Sequence, residues 1–224
     1  MTSGLGPRPQ RPRPKRRLDA VRRPQILATA VELVREQGLW NVRISDVAQR
    51  VGLSPTSIVY YFGTKDELFA QAISDADDAF YEPLLVELAA LPSALERIAR
   101  LIARSSTADW LLWMDLWAYA RHHPETAVAQ RGFHRRWRQT IEDIVRQGAG
   151  SGEWTVADPG GVGQRLAALT DGLAVHMVLG DPDHTPAEYV AMSLAAISLE
   201  LGCALSELER AAATCPPASP APAN

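Results

Sequence analysis

The sequence predicts an all-α protein of about nine helices, a small N-terminal three-helix domain followed by a larger helical one. Three observations carry this. Apolar residues recur at three- and four-residue spacing through the body of the chain, with no convincing run of alternating β-branched residues. Helix-start pairs such as Ser54-Pro55 and Asp158-Pro159 stand between these stripes. The composition, 46% hydrophobic and 22% charged over 224 residues, is globular, which excludes wholesale disorder. At about 100–200 residues per domain, that length allows one domain or two small ones.

Taken in order, residues 1–18 are rich in Pro, Gly and Arg and are expected to be a disordered basic arm. Ile26, Ala30, Leu33, Val34 and Gln37 form a helical stripe that ends at Gly38. A short helix follows from about Ile44 to Val51 and ends at Gly52. Ser54 as N-cap and Pro55 at the first helical position open another, to about Phe62. Thr64-Lys65-Asp66-Glu67 is a capping box for a fourth helix that runs past Phe69, Ile73 and Phe80. The fifth follows Pro92, with Leu95, Ile98, Ala99 and Ile102 on one face. Thr107 is placed as the cap of the sixth, which His122-His123-Pro124 ends. The seventh runs from about Pro124 to Gln147 and is expected to stop at the glycine run that follows. Asp158-Pro159 opens the eighth, ended by Gly180. The capping box from Thr185 to Glu188 opens the ninth, to about Arg210. Prolines are expected between helices or in first turns, where the missing N–H costs nothing. Residues 214–224, rich in Pro and Ala, are expected to be a disordered tail.

The net charge is −3, yet residues 1–67 hold twelve Lys/Arg against six Asp/Glu, and the remainder eleven against twenty. A basic first third on an acidic remainder suits one part that meets a polyanion and another that does not; a basic tail without a partner fits the same numbers. The uncharged stretch from Tyr189 to Leu199 is broken by Glu200 and falls short of the ~20 residues of a membrane span. The N-terminus has no apolar signal-peptide core. Cys203 and Cys215 make no disulfide framework. These features predict a cytoplasmic chain with no membrane partner.

Ile44 to Phe62 reads ISDVAQRVGLSPTSIVYYF. Val47, Ala48 and Val51 make one apolar face, Gly52 permits a left-handed turn, and Leu53, Ile58 and Phe62 continue the core. Two short helices joined this way make a helix-turn-helix, whose second helix fits a major groove. A plain helical hairpin in a bundle has the same pattern. In the first reading Pro55, Thr56, Ser57, Val59 and Tyr60 face base edges and thymine methyls. Lys65 and Arg43 stand where a cation and free N–H groups hold phosphates.

This segment resembles the DNA-binding segment of tetracycline-repressor (TetR) family regulators. The matching pieces are Val47-Ala48, Gly52-Leu53-Ser54, Tyr61-Phe62 and Lys65-Asp66-Glu67-Leu68, with Ile26-Leu27, Ala30, Leu33 and Gly38 in the preceding helix. The resemblance implies an all-helical homodimer, with a helix-turn-helix DNA-binding domain at residues 19–67 and a ligand-binding and dimerisation domain at 68–213. It implies a double-stranded, near-palindromic operator, released when a small-molecule effector binds. DNA contacts are assigned to Arg43, Ser54, Pro55, Thr56, Ser57, Tyr60, Tyr61 and Lys65. Two departures stand out: Val59 replaces the Tyr usual three residues before the final Phe, with Tyr60 adjacent, and Arg43 replaces a usual Thr.

Trp110, Trp113 and Trp117 lie along one side of a helix, flanked by Met114, and Phe133, Trp137 and Trp154 follow. They either pack the core or line a cavity, since ligand pockets are mostly apolar and aromatic. The candidate effector-binding set is Trp110, Trp113, Met114, Trp117, Phe133, Trp137, Asp171 and His176, with Asp115 a further polar candidate. An acid among indoles suits a cationic ligand. The segment from Trp110 through Gly172 is similar to the choline-responsive repressor branch of the same family. In the eighth and ninth helices, Leu166, Leu169, Leu173, Val190, Leu194, Ile197 and Leu201 either pack internally or, in the family's manner, build a four-helix dimer interface. No carboxylate or Cys stands at ligand spacing beside His122, His123 or His134, and no nucleophile motif, Walker loop or dinucleotide motif appears. No metal site, no cofactor and no enzymatic activity are expected. Arg131, Arg135, Arg136 and Arg138 read as a solvated helix face. The expected function is therefore a ligand-responsive DNA-binding regulator. An all-α enzyme using the tryptophan cavity, or a regulator with no effector, remains the alternative.

Overall fold

Capping side chains set most of the helix boundaries. The structure is a computed structural model that describes residues 14–214; among these it has ten helices and no strand. They are α1 (Pro14–Gln37), α2 (Ile44–Arg50), α3 (Pro55–Phe62), α4 (Lys65–Ala89), α5 (Ala94–Ser105), α6 (Trp110–Ala120), α7 (Pro124–Ser151), α8 (Pro159–Val178), α9 (Pro186–Leu201) and α10 (Leu205–Ala213). Ser54 Oγ accepts the Ser57 N–H, and Thr64 and Glu67 exchange the two bonds of a capping box, as the sequence predicts. No helix among the described residues is long and apolar enough to cross a membrane.

Four expectations are corrected. α1 begins at Pro14, so residues 14–18 are helical rather than part of a disordered arm; residues 1–13 and the tail from 215 lie outside the described residues. Pro24 and Pro83 sit inside α1 and α4 rather than at helix starts, each forgoing one helical hydrogen bond. Asp109, not Thr107, caps α6, while Thr107 donates its hydroxyl to the Arg104 carbonyl at 3.0 Å. The ninth helix stops at Leu201, where Gly202 turns left-handed, and α10 is separate.

The seventh helix also overruns its expected end. Gly148 lies inside the helix, and the Trp154 indole lies against it: a Cβ there would come within 2.0 Å of the ring. The same indole donates to the Val145 carbonyl at 2.8 Å. This glycine makes room for an aromatic ring, and Gly152 ends the helix.

α1, α2 and α3 close over Ile26, Ala30, Leu39, Val47, Ile58 and Phe62, all buried. α4 is shared. Leu68, Phe69 and Ile73 belong to the buried core near α1 and α3, and farther along α4 packs against α5 and α7. α7 packs on α6 and α8, and α9 on α8, α5 and α10. α6 meets α1 on one side and α7 and α8 on the other, which places it between the two parts.

Candidate functional site

α3 presents its outer face to solvent. Ile58 and Phe62 point inward, and Pro55, Thr56, Val59 and Tyr60 point out, with Tyr60 76% exposed. Ser57 is half-buried, and its hydroxyl shares a 2.9 Å hydrogen bond with Ser54. Tyr61 is half-buried and its carbonyl accepts from Arg23 at 3.4 Å; that guanidinium also lies 4.9 Å over the Phe62 ring. Arg43 is exposed at the α2 N-cap, its backbone N–H held by Asp46 at 2.8 Å. Lys65 is less free than expected. It is half-buried and donates to the Leu39 carbonyl at 3.3 Å, with the Tyr119 ring 5.4 Å away. Burial lowers its pKa below that of a free lysine, against the pull of Asp66 and Asp46.

Behind this face, α6 is fastened to the N-terminal helices by polar bonds. Asp115 Oδ2 accepts the Leu39 N–H at 3.0 Å, so Asp115 serves this joint. Gly38, at φ 79°, makes the turn that exposes that N–H. Arg35 pairs with Asp109. Tyr119 donates to Asp66 Oδ1 at 2.7 Å, and His123 Nδ1 lies 2.9 Å from Asp66 Oδ2. The Tyr119 and His123 rings stack at 3.6 Å, and Trp40 sets its edge against Tyr119. Burial raises the Asp66 pKa, but the bonds from His123 and Tyr119 outweigh it and hold the carboxyl below its ordinary value.

The larger part has an aromatic interior with polar side chains set into it. Trp113 stacks on Phe133 at 3.8 Å. Trp137 donates to Thr170 Oγ1 at 3.2 Å, and Trp110 donates to the Ser105 carbonyl at 2.8 Å. Ser105 shares a 2.9 Å bond with the Tyr189 hydroxyl. Tyr81 OH, Asp77 Oδ1 and Trp117 Nε1 are buried and meet no hydrogen-bonding partner among the described residues. Burial pushes the Asp171 carboxyl up to about 7. His134 Nδ1 lies 3.4 Å from it, and its charge is felt at both Tyr81 and Tyr189. Arg136 is not on a solvated face: it binds Asp77 at 3.0 Å and lies 4.3 Å over the Tyr81 ring.

Trp110, Trp113, Phe133 and Trp137 are therefore buried on neighbouring helices, with Asp171 half-buried on α8 and Met114 and Trp117 half-buried on α6. His176 is not part of this interior; it is exposed at the end of α8, where it stacks on His184. Sequence reasoning missed Asp77, Tyr81, Thr170 and Tyr189, because no local motif marks them. It also missed the grouping of His176, Asp181 and His184, three potential metal ligands.

The dimer assignment needs correction. Leu166, Leu173, Leu194, Ile197 and Leu201 are buried within the single chain, and Leu169 and Val190 are half-buried against the same core. The apolar residues left outside are others: Leu199 is 86% exposed, and Ala168, Gly172, Leu179 and Met192 are exposed too.

Comparison with known proteins agrees with this architecture. Residues 26–72 match the description "Bacterial regulatory proteins, tetR family", and residues 88–202 match "BetI-type transcriptional repressor, C-terminal". The HTH-type transcriptional regulator BetI of Escherichia coli O139:H28 is 29% identical over 182 residues, covering 77% of this chain and 91% of BetI. A transcriptional regulator from Saccharomonospora viridis, solved in complex with choline, is 26% identical with a TM-score of 0.75, covering 81% of this chain and 98% of that one. The fatty acid degradation regulator FadR from Bacillus halodurans, 17% identical with a TM-score of 0.64 over 86% of this chain and 97% of its own, shares the fold. With an exposed groove-sized helix at one end, an aromatic interior at the other and both segments matched, the chain belongs to the TetR family and is a ligand-responsive, DNA-binding transcriptional regulator with a BetI-type C-terminal domain.

Proposed function

We propose that the chain acts in the cytoplasm as a homodimeric repressor that lays α3 in the major groove of a near-palindromic operator, and that a small quaternary ammonium compound of the choline type releases it. Pro55, Thr56 and Tyr60 read bases, while Arg43, Ser54, Ser57, Tyr61 and Lys65 hold phosphates. Lys65 has three donors, of which one serves Leu39. The exposed stripe of Ala168, Gly172, Leu179, Met192 and Leu199 supports self-association of α8 and α9. A two-fold pair then presents α3 twice, one or more DNA turns apart. The reading assigns no reaction to the chain.

The observation that carries the effector assignment is Asp171, a carboxyl that burial pushes up to about 7 and whose charge reaches Tyr81 and Tyr189. A quaternary ammonium ion donates no hydrogen bond. It is held by ring faces and a nearby negative charge, the residue types gathered on α6, α7 and α8. The choline carried by the Saccharomonospora viridis relative supports the same class. α6 links the two sites, since Trp110 and Trp113 face the interior while Asp109, Asp115 and Tyr119 hold the DNA-binding part.

The test is a choline titration followed by tryptophan fluorescence at pH 6 and pH 8. A cation favours the ionised carboxyl, so affinity should rise with pH through about 7 and the dependence should vanish in Asp171→Asn. No binding, or a pH profile unchanged in the variant, would remove the assignment.

A further inference from the structure

The turn between α8 and α9 gathers side chains that neither the DNA face nor the aromatic interior uses. Gly180, at φ 75°, folds the chain back so that the Asp181 N–H donates to the His176 carbonyl at 3.2 Å. The His184 N–H donates to the Asp181 carbonyl at 3.0 Å. The two imidazoles stack with centroids 4.7 Å apart. Asp181 Oδ1 accepts the Asp183 N–H at 3.1 Å, which fixes the carboxylate and aims Oδ2 at His184 Nδ1 (3.0 Å) and His176 Nδ1 (3.6 Å).

We propose that His176, Asp181 and His184 form a binding site for a borderline divalent transition cation such as zinc. The geometry is the first support. Donors bound tetrahedrally at about 2.0–2.1 Å stand roughly 3.3 Å apart. The two Asp–His separations lie on either side of that spacing, and the three ligand atoms all lie within 4.8 Å of one another. Donor chemistry is the second. Two imidazoles and one carboxylate favour zinc, nickel or copper over magnesium or calcium, which take oxygen. Orientation is the third. The Asp183 N–H, 3.1 Å from Asp181 Oδ1, supports the ligand from behind and leaves Oδ2 facing the two imidazoles. The His176 side chain is 57% exposed, which leaves an entry path and room for water at the remaining position. An ion here ties the last turn of α8 to the N-terminus of α9, the pair whose outer face carries the proposed self-association surface. The competing arrangement is a stacked histidine pair with Asp181 as its counter-ion.

The test uses tag-free, chelator-stripped full chain, titrated by calorimetry with zinc and separately with magnesium. Zinc should bind once per chain with proton release and raise the melting temperature, and magnesium should not compete. His176→Ala, His184→Ala and Asp181→Asn should each weaken zinc by at least ~10-fold. His176→Ala changes an exposed side chain, so its helical circular dichroism without zinc should match the wild type and separate lost binding from lost fold. No zinc binding by the wild type, unaltered affinity in the variants, or equal binding of magnesium would overturn the site.

Discussion

The DNA-binding part and the sensor part satisfy their polar groups differently. In the first, the buried residues are almost all apolar, and the polar side chains at helix ends are used as caps. In the second, Asp77, Tyr81, Trp117, Thr126 and Ser193 each bury a polar atom with no partner among the described residues, and none of the first part's residues does. A buried group without a hydrogen bond costs about 1–3 kcal/mol. One part is a finished core that displays its function on the outside. The other sets polar side chains into its buried interior at several points, Asp77 and Tyr81 on α4, Trp117 on α6, Thr126 on α7 and Ser193 on α9.

One substitution in each part breaks this comparison most severely. Phe62→Ala removes a ring from the finished core and should cost about 3–5 kcal/mol in denaturant unfolding, taking operator binding with it. Asp171→Asn should act in the opposite direction on the ligand-free protein. The raised pKa means the folded state favours the protonated acid, so stability is lost as pH rises from the unfolded value near 3.9 through about 7. The amide should flatten the melting temperature between pH 5 and 8 and stabilise the pH 8 protein by up to a few kcal/mol. A steeper pH dependence in the variant would show that Asp171 is not the buried acid that governs it.

Much of the DNA-binding part is legible in the chain because its signals are local. Ser54-Pro55, Thr64 with Glu67, and the glycines at 38 and 52 each fix a boundary within a few residues. The sensor interior is assembled from Asp77, Tyr81, Arg136, Asp171 and Tyr189 on α4, α7, α8 and α9, which no short motif connects. Stripes there are ambiguous for a physical reason. α8 and α9 have apolar residues on both the face that meets the core and the face left outside, so periodicity marks Leu166 and Leu194 without telling them from Ala168 and Leu199. Gly148 misleads similarly, since a glycine that admits Trp154 reads as a helix stop. Asp115 lies beside the tryptophans in sequence and at the domain joint in space.

Two smaller effects sharpen the contrast. Tyr60→Ala should lower operator affinity by about 1–3 kcal/mol and random-duplex affinity by less, as measured by fluorescence anisotropy. Equal losses would move Tyr60 from base reading to the phosphate backbone. Thr126→Val removes a buried hydroxyl that has no partner and keeps the shape, so it should be neutral or stabilise the chain by about 1 kcal/mol. A clear destabilisation would show that the hydroxyl is answered after all.

The account stands on communication along α6 between the aromatic interior and α3. A duplex selected from a random pool as the tightest binder should be titrated with the protein at pH 8, with and without saturating choline, and choline affinity measured with and without that duplex. Each ligand should weaken the other by the same factor, at least ~10-fold, because coupling between two binding sites is reciprocal. Choline that quenches tryptophan fluorescence yet leaves operator affinity unaltered would contradict it.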